Sequence, residues 1–174
     1  GLPWWPLTQT ATDANRAVLR QARMATGRPR ILVFDRCYHG TVDETMVVMG
    51  DGGATVPRPG QIGRIHDPAV TTVVVEFNDI EAVERALARG DIACVLAEPV
   101  MTNAGMVLPQ PGFVDSLRAA CARHDVLLAI DETHTLSSGP GGYARLHGLA
   151  ADFIVCGKAI AGGVPCAVYG YSDA

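Results

Sequence analysis

Two residues of opposite charge close two apolar runs, Asp131 at the end of "VLLAID" and Lys158 at the end of "DFIVCGK". If both runs are strands of one sheet, a carboxylate and an amine face one crevice beyond the strands' carboxyl ends, where open α/β sheets hold ligands. Two readings stand open for the pair. One is a structural ion pair, the usual state of a buried lysine. The other is a lysine that forms an imine with a carbonyl-bearing ring, the aspartate facing a cationic ring nitrogen. An anionic group on such a ring needs its own seat. "TQTATDAN" offers one, because Thr10, Ala11 and Thr12 precede a helix whose free amides and dipole attract an anion, although a threonine there is also an ordinary cap. In "FDRCYHG", Tyr38 is a ring able to stack on a flat ligand or to pack in the core. Glu98 closes a third run in "IACVLAEPV". Strand alternation sends Glu132 away from Asp131 and brings Thr133 back to its side.

The elements that must position these residues are legible as apolar runs rich in β-branched side chains: 31–34, 71–77, 92–100, 126–131, 152–158 and 166–171. They read as strands buried on both faces. Between them "TDANRAVLRQARMATG" predicts a helix with Thr12 or Asp13 as N-cap, an apolar stripe through Ala14, Val18, Ala22 and Ala25, and Gly27 as the stop. "NDIEAVERALARG" predicts a second, starting at Asn78 or Asp79 and ending at Gly90, with Ile80, Val83 and Leu87 on one face. "GFVDSLRAACARHD" predicts a third, with Phe113, Leu117, Ala120 and Cys121 inward. The alternation predicts an α/β fold, a three-layer α/β/α sandwich with a mostly parallel mixed sheet, in a single domain over 1–174. Residues 39–70 are turn-rich and weakly periodic, and read as a long surface excursion.

A chain of 174 residues with 48% hydrophobic and 18% charged content can bury a core. Its 14 basic and 18 acidic residues form no stripe of the kind nucleic acid or an anionic membrane selects, so a small molecule or another protein chain is the expected partner. No run reaches the length of a membrane span, no signal-peptide layout is present, and a cytoplasmic location is expected. Five widely spaced cysteines without C-x-x-C suggest neither a disulfide framework nor a metal knuckle. His39, His66, His124 and His147 lack ligand spacing and read as solvated or locally bonded, so no metal is expected.

Taken in order, "TATDAN", "ATGRPRI", "CYHG", "AEPVMTNAGMVLPQPGF", "LLAIDET" and "GKAIAGGVP" resemble the class III, fold-type I pyridoxal-phosphate aminotransferases, in their glutamate-1-semialdehyde aminomutase-like branch. The resemblance runs from about Thr8 to Gly170. It implies pyridoxal 5'-phosphate as cofactor, held as an aldimine on Lys158, with Asp131 opposite the pyridine nitrogen. It implies Tyr38 and Thr133 on the two ring faces, Thr10, Ala11 and Thr12 at the phosphate, Glu98 close by, and His39 and His134 among the cofactor-binding positions. His134 either reaches the phenolic oxygen or is satisfied by backbone. The implied reaction passes an amino group from an amine or amino acid to a keto or aldehyde acceptor. An aminomutase is the alternative, as are decarboxylation or racemisation on the same cofactor, and a truncated fragment that only binds cofactor or dimerises. A homodimer is expected. Full members are more than twice as long, so the chain reads as a partial cofactor-binding large domain, with an N-terminal segment and a C-terminal small domain absent. Trp4 and Trp5 are expected to be covered by the remainder.

Overall fold

The computed structural model describes residues 1–63 and 66–172; Arg64 and Ile65, inside the expected excursion, and the last two residues lie outside the described part. A two-residue strand β1 (Leu7–Thr8) enters helix α1 (Ala11–Thr26), and strand β2 (Arg30–Phe34) follows. A hairpin of β3 (Val47–Met49) and β4 (Thr55–Pro57) precedes β5 (Thr72–Val75). Then come α2 (Ile80–Leu87), β6 (Ile92–Ala97), α3 (Phe113–Arg123), β7 (Leu127–Asp131), α4 (Gly142–Leu146), β8 (Phe153–Cys156) and β9 (Ala167–Tyr171).

Seven strands form one sheet in the order β1-β9-β8-β7-β6-β2-β5. β5, β2, β6, β7 and β8 pair in parallel, while β9 runs antiparallel to β8 and β1 antiparallel to β9. This is the mostly parallel mixed sheet that the alternating pattern predicts. Handedness fixes the layers. The β5–α2–β6 and β6–α3–β7 connections step toward the β9 edge, so right-handed crossovers put α2 and α3 on one face; the step from β1 through α1 to β2 goes the other way and puts α1 on the opposite face. The packing agrees, with α1 lying across β6 to β9 and α2 against α3 and β5.

Covered on both faces, β6 is buried along its whole length, Ile92 to Ala97. Its apolar run has no alternation because neither face meets water. Phe34, Phe77 and Phe113 meet edge to face with ring centres 5.0–5.8 Å apart and close the core near the ends of β2 and β5.

The six predicted strands and three predicted helices are all present, with local differences. The N-cap of α1 is Thr10, whose Oγ1 accepts the Asp13 amide, in place of Thr12 or Asp13. The buried stripe of α1 runs through Ala14, Asn15, Val18, Leu19 and Ala22, and Ala25 is exposed. The sequence stripe was drawn on alanine periodicity, which does not distinguish a buried from an exposed alanine. Gly27 and Gly90 both adopt positive φ after their helices, as stops require. The excursion 39–70 is more ordered than its turn content suggests: β3 and β4 pair in register, and Val42, Thr45 and Val47 are buried. Helix α4 was not foreseen. Trp4 and Trp5 stand 54% and 46% exposed, and Trp5 lies so close over Gly170 that any side chain there would strike its ring.

Because β6 has no exposed side, Leu96→Ala removes buried methyls that nothing can replace. Equilibrium denaturation by urea is expected to show a loss of about 2–5 kcal/mol.

Candidate active site

Lys158 follows β8 after Gly157 and adopts φ of 44°, a left-handed conformation that is costly for a side-chain-bearing residue. Its side chain meets no carboxylate among the described residues. It opens on a cavity of about 400 Å³ whose wall also includes Thr10, Ala11, Thr12, Tyr38 and Cys166. The structure therefore brings together the lysine, the aromatic ring and the start of α1. The ion-pair reading of Asp131 with Lys158 is set aside, because Asp131 is satisfied elsewhere.

Asp131 is almost fully buried at the carboxyl end of β7. Its Oδ2 accepts from Asn15 Nδ2 at 2.9 Å and lies 2.9 Å from His39 Nδ1, and its Oδ1 accepts the Thr133 amide at 3.0 Å. Asn15 Nδ2 also donates to the His39 carbonyl at 3.2 Å. One carboxylate thus ties β7 to α1 and to the turn after β2. Burial opposes its charge, but the hydrogen bond and charge of His39 outweigh that and hold its carboxyl below the usual range. Burial likewise opposes charge on His39, and Cys37 together with the Asp131 carboxylate raises its pKa to about 10. The reading of His39 as solvated or locally bonded is corrected: the ring is 1% exposed and bonded to Asp131, 92 residues away in the chain.

The start of α1 is built for an anion. Thr10 Oγ1 takes the Asp13 amide at 3.2 Å, while the amides of Ala11 and Thr12 have no acceptor among the described residues. Thr12 Oγ1 accepts the Thr41 amide at 3.2 Å, which pulls the chain after Tyr38 against the helix. Gly40 allows that approach: its φ is +79°, and a Cβ would fall 2.0 Å from Thr12 Oγ1. A Cβ on Gly157, just before the lysine, would sit 3.0 Å from Ala11 Cβ and 3.5 Å from Thr133 Cγ2, so Ala11, Thr133 and the lysine turn converge.

Glu98 is buried and acts on Tyr38 rather than on the cavity wall. Its Oε1 accepts the Tyr38 amide at 3.0 Å, and its Oε2 accepts Thr102 Oγ1 at 3.2 Å. His134 Nδ1 meets Thr102 Oγ1 and lies 3.9 Å from Glu98 Oε2. The partner of His134 is therefore a threonine side chain, where the sequence left a choice between a ligand oxygen and backbone. Asp131, Thr133, His39, Glu98 and His134 are not among the residues that line the cavity. Glu132 faces away, as alternation predicts: it accepts from Thr135 Oγ1 at 2.6 Å and from the Tyr143 and Ala144 amides at 3.1 and 2.6 Å, capping α4.

Asn15 is the residue sequence reasoning missed. The signal was available, since it sits one turn after Ala11 in the stripe that α1 turns toward the sheet. Gln9, Val164 and Pro165, also on the cavity wall, gave none.

At one cavity beside an open α/β sheet the structure thus gathers an aromatic ring, a free helix start and a lysine with no carboxylate partner among the described residues. The family model for class-III aminotransferases matches residues 6–173, and the chain belongs to that family. It is 41% identical over 167 residues to the glutamate-1-semialdehyde 2,1-aminomutase of Myxococcus xanthus, covering 94% of this chain and 39% of that protein. Among solved structures, a glutamate-1-semialdehyde aminomutase from Pseudomonas aeruginosa is 55% identical with a TM-score of 0.96, over 99% of this chain and 38% of that one. A lysine-to-alanine variant of that protein is known in complex with PMP. An omega-transaminase from Sphaerobacter thermophilus is 33% identical with a TM-score of 0.90, over 99% of this chain and 41% of that one. The chain thus spans about two fifths of the length of the relatives it matches.

The His39–Asp131 pair has a pH signature. His39, raised from 6.5 to about 10, contributes stability fully below pH 6.5 and loses it as pH climbs through about 10; Asp131, lowered from 3.8, contributes above that value and loses it on further acidification. In His39→Gln, urea midpoints are expected to fall well below the unmodified protein's at pH 6, with the gap narrowing steadily toward pH 10. A pH-independent gap would mean that the ring is not charged in the fold.

Proposed function

We propose that this chain is the cofactor-binding core of a pyridoxal-phosphate-dependent enzyme that moves an amino group between an amine or amino acid and a carbonyl compound. The observation that supports this most is the amine of Lys158, without a carboxylate partner among the described residues, in one cavity with the open start of α1. The residues present fit the cofactor. Uncommitted amides at Ala11 and Thr12, with Thr10 beside them, suit its phosphate. The buried Thr133 Oγ1, with no partner among the described residues, suits a polar atom of a ring, and Asp131 is a carboxylate kept charged by its own partners.

When bound, pyridoxal phosphate supplies the carbonyl that Lys158 engages and the electron sink for bond breaking beside the amine. Asp131 would favour a protonated ring nitrogen, since a buried carboxylate held at low pKa favours a cation opposite it. Tyr38, whose amide Glu98 holds, would offer its ring for stacking. Lys158 would serve as the group that takes a proton from the substrate carbon as base and returns it as acid. Thr10, Ala11 and Thr12 would hold the phosphate, with His39 acting through Asp131 and His134 through Thr102 and Glu98.

The relatives' names favour a second reading, an aminomutase, in which the amino group leaves and returns to one carbon skeleton. A second copy of the chain as partner is consistent with either reading.

Absorbance tests the proposal. Pyridoxal phosphate added to the purified protein is expected to give a band near the visible edge that is absent in Lys158→Ala. Amines that are true donors should then convert it to the spectrum of the aminated cofactor. No band at saturating cofactor would sink the assignment for this chain, and a mutase would complete turnover without an external carbonyl acceptor.

A further inference from the structure

Glu98, directly after β6, keeps only 4% of its side chain in water, yet its hydrogen-bond donors among the described residues are neutral: the Tyr38 amide on Oε1 and the Thr102 hydroxyl on Oε2. Buried carboxylates are ordinarily matched by a cation. Among the described residues no lysine or arginine lies within ion-pair distance of this one. The group there able to carry positive charge is His134, whose Nδ1 is 3.9 Å from Oε2. Asp131 and Glu132, the acids next to His134 in the chain, are turned elsewhere, the one to Asn15 and His39 and the other to the amides of α4. Glu98 is therefore the carboxylate that faces the His134 ring.

One proton decides how these groups connect. A hydroxyl has a single proton to give, and Thr102 Oγ1 meets both His134 Nδ1 and Glu98 Oε2. An imidazolium carries N–H on both nitrogens and can only donate, so Thr102 must then accept from the ring and turn its own proton to Glu98. A neutral ring can leave Nδ1 bare, and the hydroxyl proton is free to abandon Glu98 for it. The ring exchanges protons with water, because its side chain is 29% exposed. The chain of contacts crosses three neighbouring parallel strands, from the turn after β7 to the turn after β6 and on to the turn after β2. It ends on the backbone of Tyr38, which lines the Lys158 cavity.

We propose that His134 is a positioning residue whose protonation locks the Thr102 hydroxyl onto Glu98 and thereby fixes Tyr38 at the cofactor cavity. Hydrogen bonds in series from a charged donor polarise one another, so the Tyr38 amide is held more tightly while His134 is charged. As pH climbs through the His134 midpoint the hold loosens and the cofactor is bound less firmly. The effect on the cofactor rests on the function proposed above; the coupling of His134 to Tyr38 does not need the cofactor to be present.

The test follows the Tyr38 amide by NMR in cofactor-free, isotopically labelled protein while pH is varied across the His134 midpoint, itself read from the imidazole ring signals. Amide and ring signals are expected to move together. The Tyr38 movement should persist in Thr102→Ser, which keeps the hydroxyl, and vanish in Thr102→Val and in His134→Gln. Titration with pyridoxal phosphate, read from its absorbance band, is the second readout. His134→Gln should bind it roughly threefold or more weakly than the unmodified protein below the midpoint, and the two should converge above it. A Tyr38 amide that stays still across the His134 midpoint, or that moves unchanged in Thr102→Val, overturns the relay. So does a ratio of the two affinities that is constant with pH, since His134 would then only fill space. A pH-dependent ratio that survives in a Thr102→Val background overturns it as well, because the ring would then act on the cofactor directly. His134 is partly exposed, so His134→Gln against the unmodified protein decides the matter if Thr102→Val does not fold. Failure of the band in the unmodified protein, with Tyr38 still following His134, would strike the proposed reaction and leave the relay standing.

Discussion

A buried carboxylate is the constraint on which the rest of the site depends. Asp131 cannot remain ionised inside a protein unless donors replace the water it has lost, and each donor must come from an element already fixed in place. Here the donors come from three parts of the fold: Asn15 from the inner face of α1, His39 from the turn after β2, and the amide of Thr133 from the turn that ends β7. Satisfying one side chain therefore locks the helix, the aromatic turn and the end of the central strand into a single arrangement. The open start of α1 and the Tyr38 ring hold their relative positions partly because the residues four and one places along from them share this acid.

That arrangement leaves unpaired polar atoms, which distinguishes a site from a structural network. Asn15 Oδ1, His39 Nε2 and Thr133 Oγ1 are buried and without partners among the described residues. A cluster meant only to bridge helix and sheet would be expected to satisfy them, given what an unmade buried hydrogen bond costs. Close backbone approach is also concentrated here. Gly40 lies against Thr12 at a distance that no side chain would permit, and Gly157 lies close enough to Ala11 and Thr133 that a side chain there would be tight.

Much of this was legible in the sequence, and the reasons differ by residue. The strands of the sheet could be read because burial on both faces leaves continuous apolar runs, as in "IACVLA", and short strands need no further signal. The sequence could single out Asp131 and Lys158 because charge at the end of an apolar run needs a partner or a ligand, and the structure gives Asp131 three partners. Alternation separated Glu132 from its neighbours, and the structure gives it the amides of α4. What stayed hidden depends on contacts between residues far apart in the chain. His39 could not be paired with Asp131 across 92 positions, nor could Asn15 be told from a surface asparagine. The hairpin of β3 and β4 was hidden for a local reason: three-residue strands flanked by glycine and proline have too few side chains to show a period.

Glu98 shows how a residue off the cavity wall positions one that is on it. Its carboxylate oxygens divide their work, one holding the Tyr38 backbone and the other Thr102, which in turn meets His134. Tyr38 lines the lysine cavity, so a residue that does not touch that space sets the position of one of its walls. This follows from topology. The turn after β2 and the turn after β6 leave neighbouring parallel strands at the same edge, and strand order reverses across the gap between them. A buried acid that bridges the two turns is an economical way to close that gap from below while leaving it open above.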